Sequence, residues 1–178
     1  SGPVGLAAAA HLLERGLNPV IFEAGSSPAA AVSAWGHVRL FSPWQYDVDA
    51  AAGRLLEGTG WQEPDAQSLP TGNELVEQYL RPLAAVPALR AALRLNSEVL
   101  AVTRDGLDKT RTGGRESAPF LLRVREASGS VADCRVRAVI DASGTWNTPN
   151  PLGQSGLPAA GEAEACAAGV ITAPLPDV

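Results

Sequence analysis

The chain contains no methionine, only two cysteines, and few aromatic residues, which make up 5% of its 178 residues. Cys134 and Cys166 are far apart and form no C-x-x-C pair. A reduced, cytoplasmic protein is therefore the default expectation. Because even an initiator methionine is missing, we expect the chain to be part of a longer protein.

The sequence also lacks an excess of basic charge and any long apolar run. Its net charge is −5 and its pI is about 5.0, which argues against general affinity for nucleic acids. No apolar stretch approaches the roughly 18 residues of a membrane span, and no basic lead indicates a signal peptide. We therefore expect neither a nucleic-acid nor a membrane partner, and one domain with a substantial core.

What the sequence does carry, at its start, is the back half of a dinucleotide-binding fingerprint. The full pattern is G-x-G-x-x-G at the beginning of a helix, with an acidic residue about 20 residues further on. Gly2 and Gly5 match the second and third glycines, whereas the first glycine and the strand before it are absent. Gly2 would let backbone approach a pyrophosphate, and Gly5 would let the helix pack tightly on a strand.

The fingerprint predicts a helix over about 3–15, with its N-terminus directed at the phosphates and a stop at Gly16. A short apolar strand over 19–22 should follow, with Glu23 at its carboxyl end. A carboxylate there can accept both hydroxyls of an adenosine ribose and would repel a 2′-phosphate, which favours FAD or NAD over NADP. The alternative is an ordinary βαβ unit without a ligand.

The stretch 35–44 holds two tryptophans, a phenylalanine, a histidine and an arginine. Aromatic faces with a cation suit a flat heterocycle. One interpretation is a loop that lines a flavin ring, with Arg39 and Trp44 as the best candidates. The other is that Trp35, Phe41 and Trp44 anchor a long loop in the core, and the sequence does not decide between them.

Two helices are predicted after this aromatic stretch. We expect a helix over 47–57 capped by Asp47. A second helix over 72–85 should start with a Thr71/Glu74 capping box and should be kinked, or end early, at Pro82.

Alternating patterns then predict an antiparallel meander of three strands over 97–104, 120–126 and 131–136. Residues 138–146 predict a buried strand that runs into the small residues Ala142, Ser143 and Gly144, where the chain could pass close to a cofactor.

This order of features resembles the FAD domain of two-dinucleotide-domain flavoproteins, particularly flavin-containing monooxygenases and their bacterial relatives, over roughly residues 1–162. The resemblance implies a Rossmann-like α/β domain with a parallel sheet, flanking helices and an antiparallel three-stranded meander, truncated at both ends. In that family an Ala-Thr-Gly segment after the meander contacts FAD, and here it is Ala-Ser-Gly. Patterns and resemblance together give these candidate FAD-binding residues: Gly2, Pro3, Val4, Gly5, Glu23, Ala24, Arg39, Trp44, Val99 (through its backbone, at the adenine), Ala142, Ser143 and Gly144.

The resemblance also predicts the domain organisation. Residues 1–156 would form a partial FAD-binding domain without its first strand, and residues 157–178 a linker towards an NAD(P)H domain. The NADPH or NADH site would then lie outside this chain. We expect the chain alone to bind FAD weakly and to catalyse nothing.

The implied activity is that of an FAD-dependent, NAD(P)H-using oxidoreductase, in first place a monooxygenase acting on a small-molecule substrate with oxygen. No acid–base or nucleophile constellation stands out, and we expect no metal site. One alternative is a thioredoxin-reductase-like disulfide reductase, whose cysteine pair would lie in the absent domain. The sequence departs from single-domain aromatic hydroxylases, which should carry an Asp-Gly motif near Asp141, because this chain has Asp-Ala-Ser-Gly there. The last alternative is a non-catalytic nucleotide-binding module.

Overall fold

The computed structural model describes residues 1–172 and 175–176. A parallel strand pair, a separate antiparallel sheet and flanking helices make up an α/β fold, which confirms the predicted class. The elements are, in chain order, α1 (Pro3–Glu14), β1 (Ile21–Phe22), α2 (Ala30–Ser33), α3 (Trp44–Asp47), α4 (Ala50–Glu57), α5 (Gly72–Leu75), a π-helical turn (Val76–Leu80), α6 (Arg81–Ala85), α7 (Pro87–Ala92), β2 (Leu93–Arg94), β3 (Glu98–Arg104), β4 (Phe120–Arg125), β5 (Val131–Val136), a 3₁₀ turn (Gln154–Gly156) and α8 (Glu162–Ala167).

Helix α1 lies at the centre of the helical part, where it packs against α4, α7 and β1. Leu6 and Ala10 are completely buried, and the run of alanines between them gives neighbouring helices room to approach. Gly16 ends the helix in the left-handed conformation, with φ of 69°, as predicted. None of the helices in the described residues is long and apolar enough to cross a bilayer.

The parallel pair joins β1 to β2, a strand that the sequence analysis missed together with α7. Ile21 lies opposite Leu93 and Phe22 opposite Arg94. The pairing runs on past the strands, because the N–H of Glu23 donates to the Arg94 carbonyl at 2.9 Å. β1 is shorter than the predicted 19–22, since Pro19 has no N–H for a ladder hydrogen bond.

The predicted helix over 72–85 forms, and its capping box is confirmed: Thr71 Oγ1 accepts from the Glu74 N–H, and Glu74 accepts from the Thr71 N–H. Its middle widens into the π-helical turn just before Pro82. Pro82 has no N–H to offer to the Gln78 carbonyl, four residues earlier. That carbonyl instead accepts from the indole Nε1 of Trp61, at 2.6 Å.

The predicted cap of the helix over 47–57 was wrong. Asp47 ends the short helix α3, and α4 begins at Ala50 with Asp49 as its N-cap. The Asp49 backbone is extended, and its Oδ1 accepts from the N–H groups of Ala51 and Ala52 at 2.9 and 3.0 Å. The Asp47 carboxyl is engaged by the Ser42 hydroxyl instead.

The three-stranded meander is confirmed, with the antiparallel order β3-β4-β5. Only Leu122 and Val124 of its strands are buried, and both lie on the central strand. Ion pairs such as Arg123–Asp133 and Arg125–Glu98 cross its faces.

The buried strand predicted within 138–146 does not form. Ile140 is 57% exposed, and no described strand lies beside this segment to complete its backbone hydrogen bonds. The segment runs as an irregular chain into a turn at residues 145–148. Part of the predicted linker over 157–178 is helical, as α8, and its residues 173–174 and 177–178 lie outside the described residues.

We predict that Asp49→Ala lowers the free energy of unfolding by about 1 kcal/mol, because the start of α4 loses its cap. Asp49→Asn should cost less at neutral pH, since an amide oxygen still caps. Burial raises the pKa of Asp49, but hydrogen bonds from Ala52, His11 and Ala51, with the charge of His11, outweigh it and lower the pKa. A carboxyl with a lowered folded-state pKa stabilises above its ordinary pKa of about 3.9.

The advantage of aspartate over asparagine should therefore be complete at pH 6, begin to fall near pH 4 and be lost as the pH falls through the lowered pKa of Asp49. Urea unfolding of the wild type and both variants across this range measures it. A difference between aspartate and asparagine that is unchanged at pH 3 would contradict the role of the ionised cap.

Candidate functional site

The start of α1 offers an uncapped helix N-terminus. Gly2 precedes the helix in an extended conformation, with φ of −74° and ψ of −173°, and no side chain caps the first turn. The first N–H groups of a helix have no partner within it, and together with the helix dipole they attract anions. A Cβ built on Gly2 would meet no atom within 4 Å, so the space beside Gly2 is open.

Glu23 lies beside this helix start. Its Oε2 accepts from the hydroxyl of Ser1 at 2.8 Å, and its Oε1 accepts from the Gly25 N–H at 2.8 Å. The carboxylate predicted to end β1 is thus held next to the fingerprint.

Two contributors to this corner were missed by the sequence analysis, Ser1 and Gly25. A Cβ on Gly25 would lie 2.3 Å from the Cβ of Ala30 and 3.2 Å from Oε1 of Glu23. Only a glycine therefore fits where the chain turns from β1 towards α2. The glycine two residues after the acidic one was the available signal, whereas the contact with Ala30 needed the structure.

The Ala142–Gly144 segment reaches the same helix. A Cβ on Gly5 would lie 3.6 Å from the Cβ of Ala142, so the segment passes against the first turn of α1. Asp141 holds its turn by accepting from the hydroxyl and the N–H of Ser143, at 2.7 and 3.0 Å, and these hydrogen bonds lower the pKa of Asp141. Gly144 adopts a positive φ of 69°. The structure thus brings together two predicted segments that are more than 130 residues apart in sequence.

A cleft of about 520 Å³ opens beside the same first turn, and we call it the α1 cleft. Its walls come from α1, from the aromatic stretch 35–44, from the α3–α4 region and from the helix over 72–85. The lining residues are Pro3, Val4, Ala7, Trp35, Leu40, Tyr46, Asp47, Val48, Asp49, Ala50, Leu75 and Tyr79.

Asp47 is the unusual group in the wall of the α1 cleft. Its Oδ1 accepts from the Ser42 hydroxyl at 2.6 Å, whereas its Oδ2 is buried and has no hydrogen-bond partner among the described residues. Leaving a buried polar atom unpaired costs about 1 to 3 kcal/mol, more for a charged group.

The other predicted site residues are placed as follows. Trp44 is 3% exposed and belongs to the core, as the packing interpretation expects, whereas Phe41 is 98% exposed and does not anchor the loop. Arg39 is on the surface and donates to the Leu69 carbonyl. Neither Arg39 nor Trp44 lines the α1 cleft, whereas Trp35 does. Contacts of Arg39 and Trp44 with a cofactor remain predictions.

The remaining two candidates lie near the strands. Val99 is in β3 beside a break in the register with β4, where the paired residues skip from Val99 to Ala101. Ala24 is exposed directly after Glu23. Their contacts with a cofactor also stay predictions.

No family model and no curated protein sequence matches the chain. Among solved structures, it is similar to the bacillithiol disulfide reductase Bdr (YpdA) from Bacillus cereus, with 21% sequence identity and a TM-score of 0.62. The match covers 86% of this chain and 40% of that one, so the chain spans well under half of the structure that it resembles. At this identity the similarity establishes a shared fold.

We predict that Gly25→Ala lowers the free energy of unfolding by about 1 to 3 kcal/mol, because the added methyl group overlaps the backbone-anchored Ala30 Cβ. Gly113→Ala is the control, since a Cβ there meets nothing within 4 Å, and its effect should stay within about 0.5 kcal/mol. Urea unfolding of the two variants measures the difference. Equal stabilities of the two variants would contradict the predicted overlap, because the turn after Glu23 would then accommodate the added methyl group.

Proposed function

We propose that this chain is the FAD-binding portion of an FAD-dependent, NAD(P)H-using oxidoreductase. One observation carries the proposal: the open, uncapped start of α1 lies next to both Glu23 and the Ala142–Gly144 segment. An anion-binding helix end and a carboxylate suited to a ribose are what a dinucleotide needs. The α1 cleft adds space of a size usual for ligand pockets, about 300 to 1,000 Å³.

The pyrophosphate of FAD would be held at the first turn of α1. The space over Gly2 lets phosphate oxygens reach the free N–H groups, with no side chain in the way. The contact of Gly5 with Ala142 keeps the small-residue segment beside the same turn. A side chain larger than alanine at position 5 would push the Ala142 segment away from the first turn of α1.

Glu23 would hold the adenosine ribose. An ionised carboxylate offers about four lone-pair sites, and two of them are used by the Ser1 hydroxyl and the Gly25 N–H. The other two remain for the ribose hydroxyls. A 2′-phosphate would meet the negative charge of Glu23, so FAD fits this corner better than NADP.

Two reactions follow from different observations. The resemblance of the sequence to flavin-containing monooxygenases supports oxidation of a small-molecule substrate with oxygen. The structural similarity to a bacillithiol disulfide reductase favours reduction of a disulfide instead. FAD would supply the redox chemistry in both, and the residues of this chain would bind it, orient it and exclude water. In both cases a reduced nicotinamide nucleotide would bind outside this chain, and we propose the cytoplasm as the compartment.

FAD titration of the full-length protein, stripped of bound flavin, tests the cofactor. We expect Gly5→Asp to weaken FAD binding at least about tenfold, because its carboxylate would face the pyrophosphate and Ala142. Gly113→Asp adds the same charge at a site with no atom within 4 Å and should bind FAD like the wild type. Far-ultraviolet circular dichroism checks that both variants fold. Equal affinity of all three proteins would refute the role of α1.

Anaerobic reduction separates the two reactions. The flavin of the full-length protein should bleach with NADPH or NADH. We expect a disulfide such as bacillithiol disulfide, added without oxygen, to restore the flavin absorbance within the time of turnover if the protein is a disulfide reductase. Recovery only when oxygen is admitted, with one oxygen atom incorporated into a small-molecule substrate, would favour the monooxygenase. A protein that takes up no FAD would leave a non-catalytic nucleotide-binding module as the remaining interpretation.

A further inference from the structure

We propose that Tyr46 binds the ring end of the cofactor, by offering its aromatic side chain as a stacking surface at the opening of the α1 cleft. The inference rests on the proposed function, and it assigns a ligand contact to a residue that no motif of the sequence had indicated. Two facts carry it: Tyr46 lines the α1 cleft, and it is 76% exposed, so a ligand in the cleft can reach it.

The short helix α3 fixes the place of Tyr46. Trp44, the first residue of α3, is 3% exposed and packs in the core. Its N–H donates to the Ser68 carbonyl, and the N–H of Gln45 donates to the Ala66 carbonyl, both at 3.1 Å. Successive residues of a helix are rotated by about 100°, so Tyr46 lies on the opposite side of α3 from Trp44. The packing of Trp44 therefore turns Tyr46 away from the core.

The exposure of Tyr46 leaves apolar area that a ligand could cover. Val4, in the first turn of α1, lines the same cleft and is 68% exposed. Two large apolar side chains from separate helices thus border one cleft and remain open to solvent. Covering them with a ligand is favourable, because it removes apolar surface from water. Aromatic faces in particular suit a flat ring, which stacks on them.

The position of the cleft relates Tyr46 to the ring of a dinucleotide. If the pyrophosphate lies at the first turn of α1 and the adenosine ribose at Glu23, the other half of FAD must leave the helix start in another direction. The α1 cleft includes Pro3 and Val4 of that first turn, and its wall continues to Tyr46. An isoalloxazine ring that enters the cleft from the phosphate site would therefore meet the side chain of Tyr46.

The test compares FAD with ADP, which carries the adenosine and the pyrophosphate but no isoalloxazine ring. In the full-length protein, stripped of flavin, Tyr46→Ala should weaken FAD binding about 5- to 100-fold, as expected for the loss of one stacking partner of a flat heterocycle. ADP binding, measured by calorimetry, should change less than about twofold. Tyr46→Phe keeps the aromatic face and should bind FAD within about threefold of the wild type.

Phe41 provides the matched control. It lies five residues before Tyr46 and is 98% exposed, but it does not line the α1 cleft. Phe41→Ala removes an exposed aromatic ring of similar size and should bind both FAD and ADP like the wild type. Because Tyr46 and Phe41 are both exposed, neither alanine variant should shift the urea midpoint of unfolding appreciably.

The outcomes separate this inference from the proposed function. If Gly5→Asp loses FAD while Tyr46→Ala binds it with wild-type affinity, the FAD site stands and the role of Tyr46 is wrong. Equal losses for FAD and ADP in Tyr46→Ala would overturn the ring contact, and so would an equal loss of FAD binding in Phe41→Ala. A loss in Tyr46→Phe as large as that in Tyr46→Ala would overturn stacking. No FAD binding by the wild type would refute the proposed function and this inference with it.

Discussion

The close packing of α1 is the constraint on which the rest of the structure depends. Leu6 and Ala10 are fully buried, and α4, α7 and β1 are all arranged around this one helix. Small side chains let its neighbours come near, and Gly5 lets the Ala142 segment pass its first turn. Because the helix is fixed on these sides, its N-terminus faces a defined open space. The same packing that stabilises the core thus shapes the candidate site.

Local patterns in the sequence predicted much of this architecture. Glycine positions, the Thr71/Glu74 capping box and the alternating strands of the meander each involve residues that are near neighbours, so their geometry follows from a few bonds. The wrong predictions depend on contacts that the local pattern does not contain. Asp47 and Asp49 are both good caps by type, and only the backbone conformation at Asp49 and the Ser42 contact decide between them. Likewise, the apolar run at 138–140 needed a neighbouring strand that the described chain does not supply.

The candidate site likewise contains features that the sequence predicted and features that only the structure shows. The position of Glu23 followed from spacing, and the structure holds its carboxylate next to the fingerprint with help from Ser1 and Gly25. The unpaired oxygen of Asp47 could not be predicted, because it depends on which of the two carboxyl oxygens the Ser42 hydroxyl bonds and on how the surrounding segments pack. Trp44 and Trp35 show the limit most clearly: they are nine residues apart, chemically identical, and only one of them faces the cleft.

The bond between Trp61 and the Gln78 carbonyl has a consequence for how this protein can vary. Pro82 leaves that carbonyl without its usual helical donor, and the indole supplies the replacement. Substituting Pro82 alone would restore a competing donor, and substituting Trp61 alone would leave this exposed carbonyl to bond water. The two positions lie 21 residues apart in the sequence. A substitution at either position would therefore change the hydrogen bonding of the same carbonyl, which couples the loop that carries Trp61 to the helix that carries Pro82.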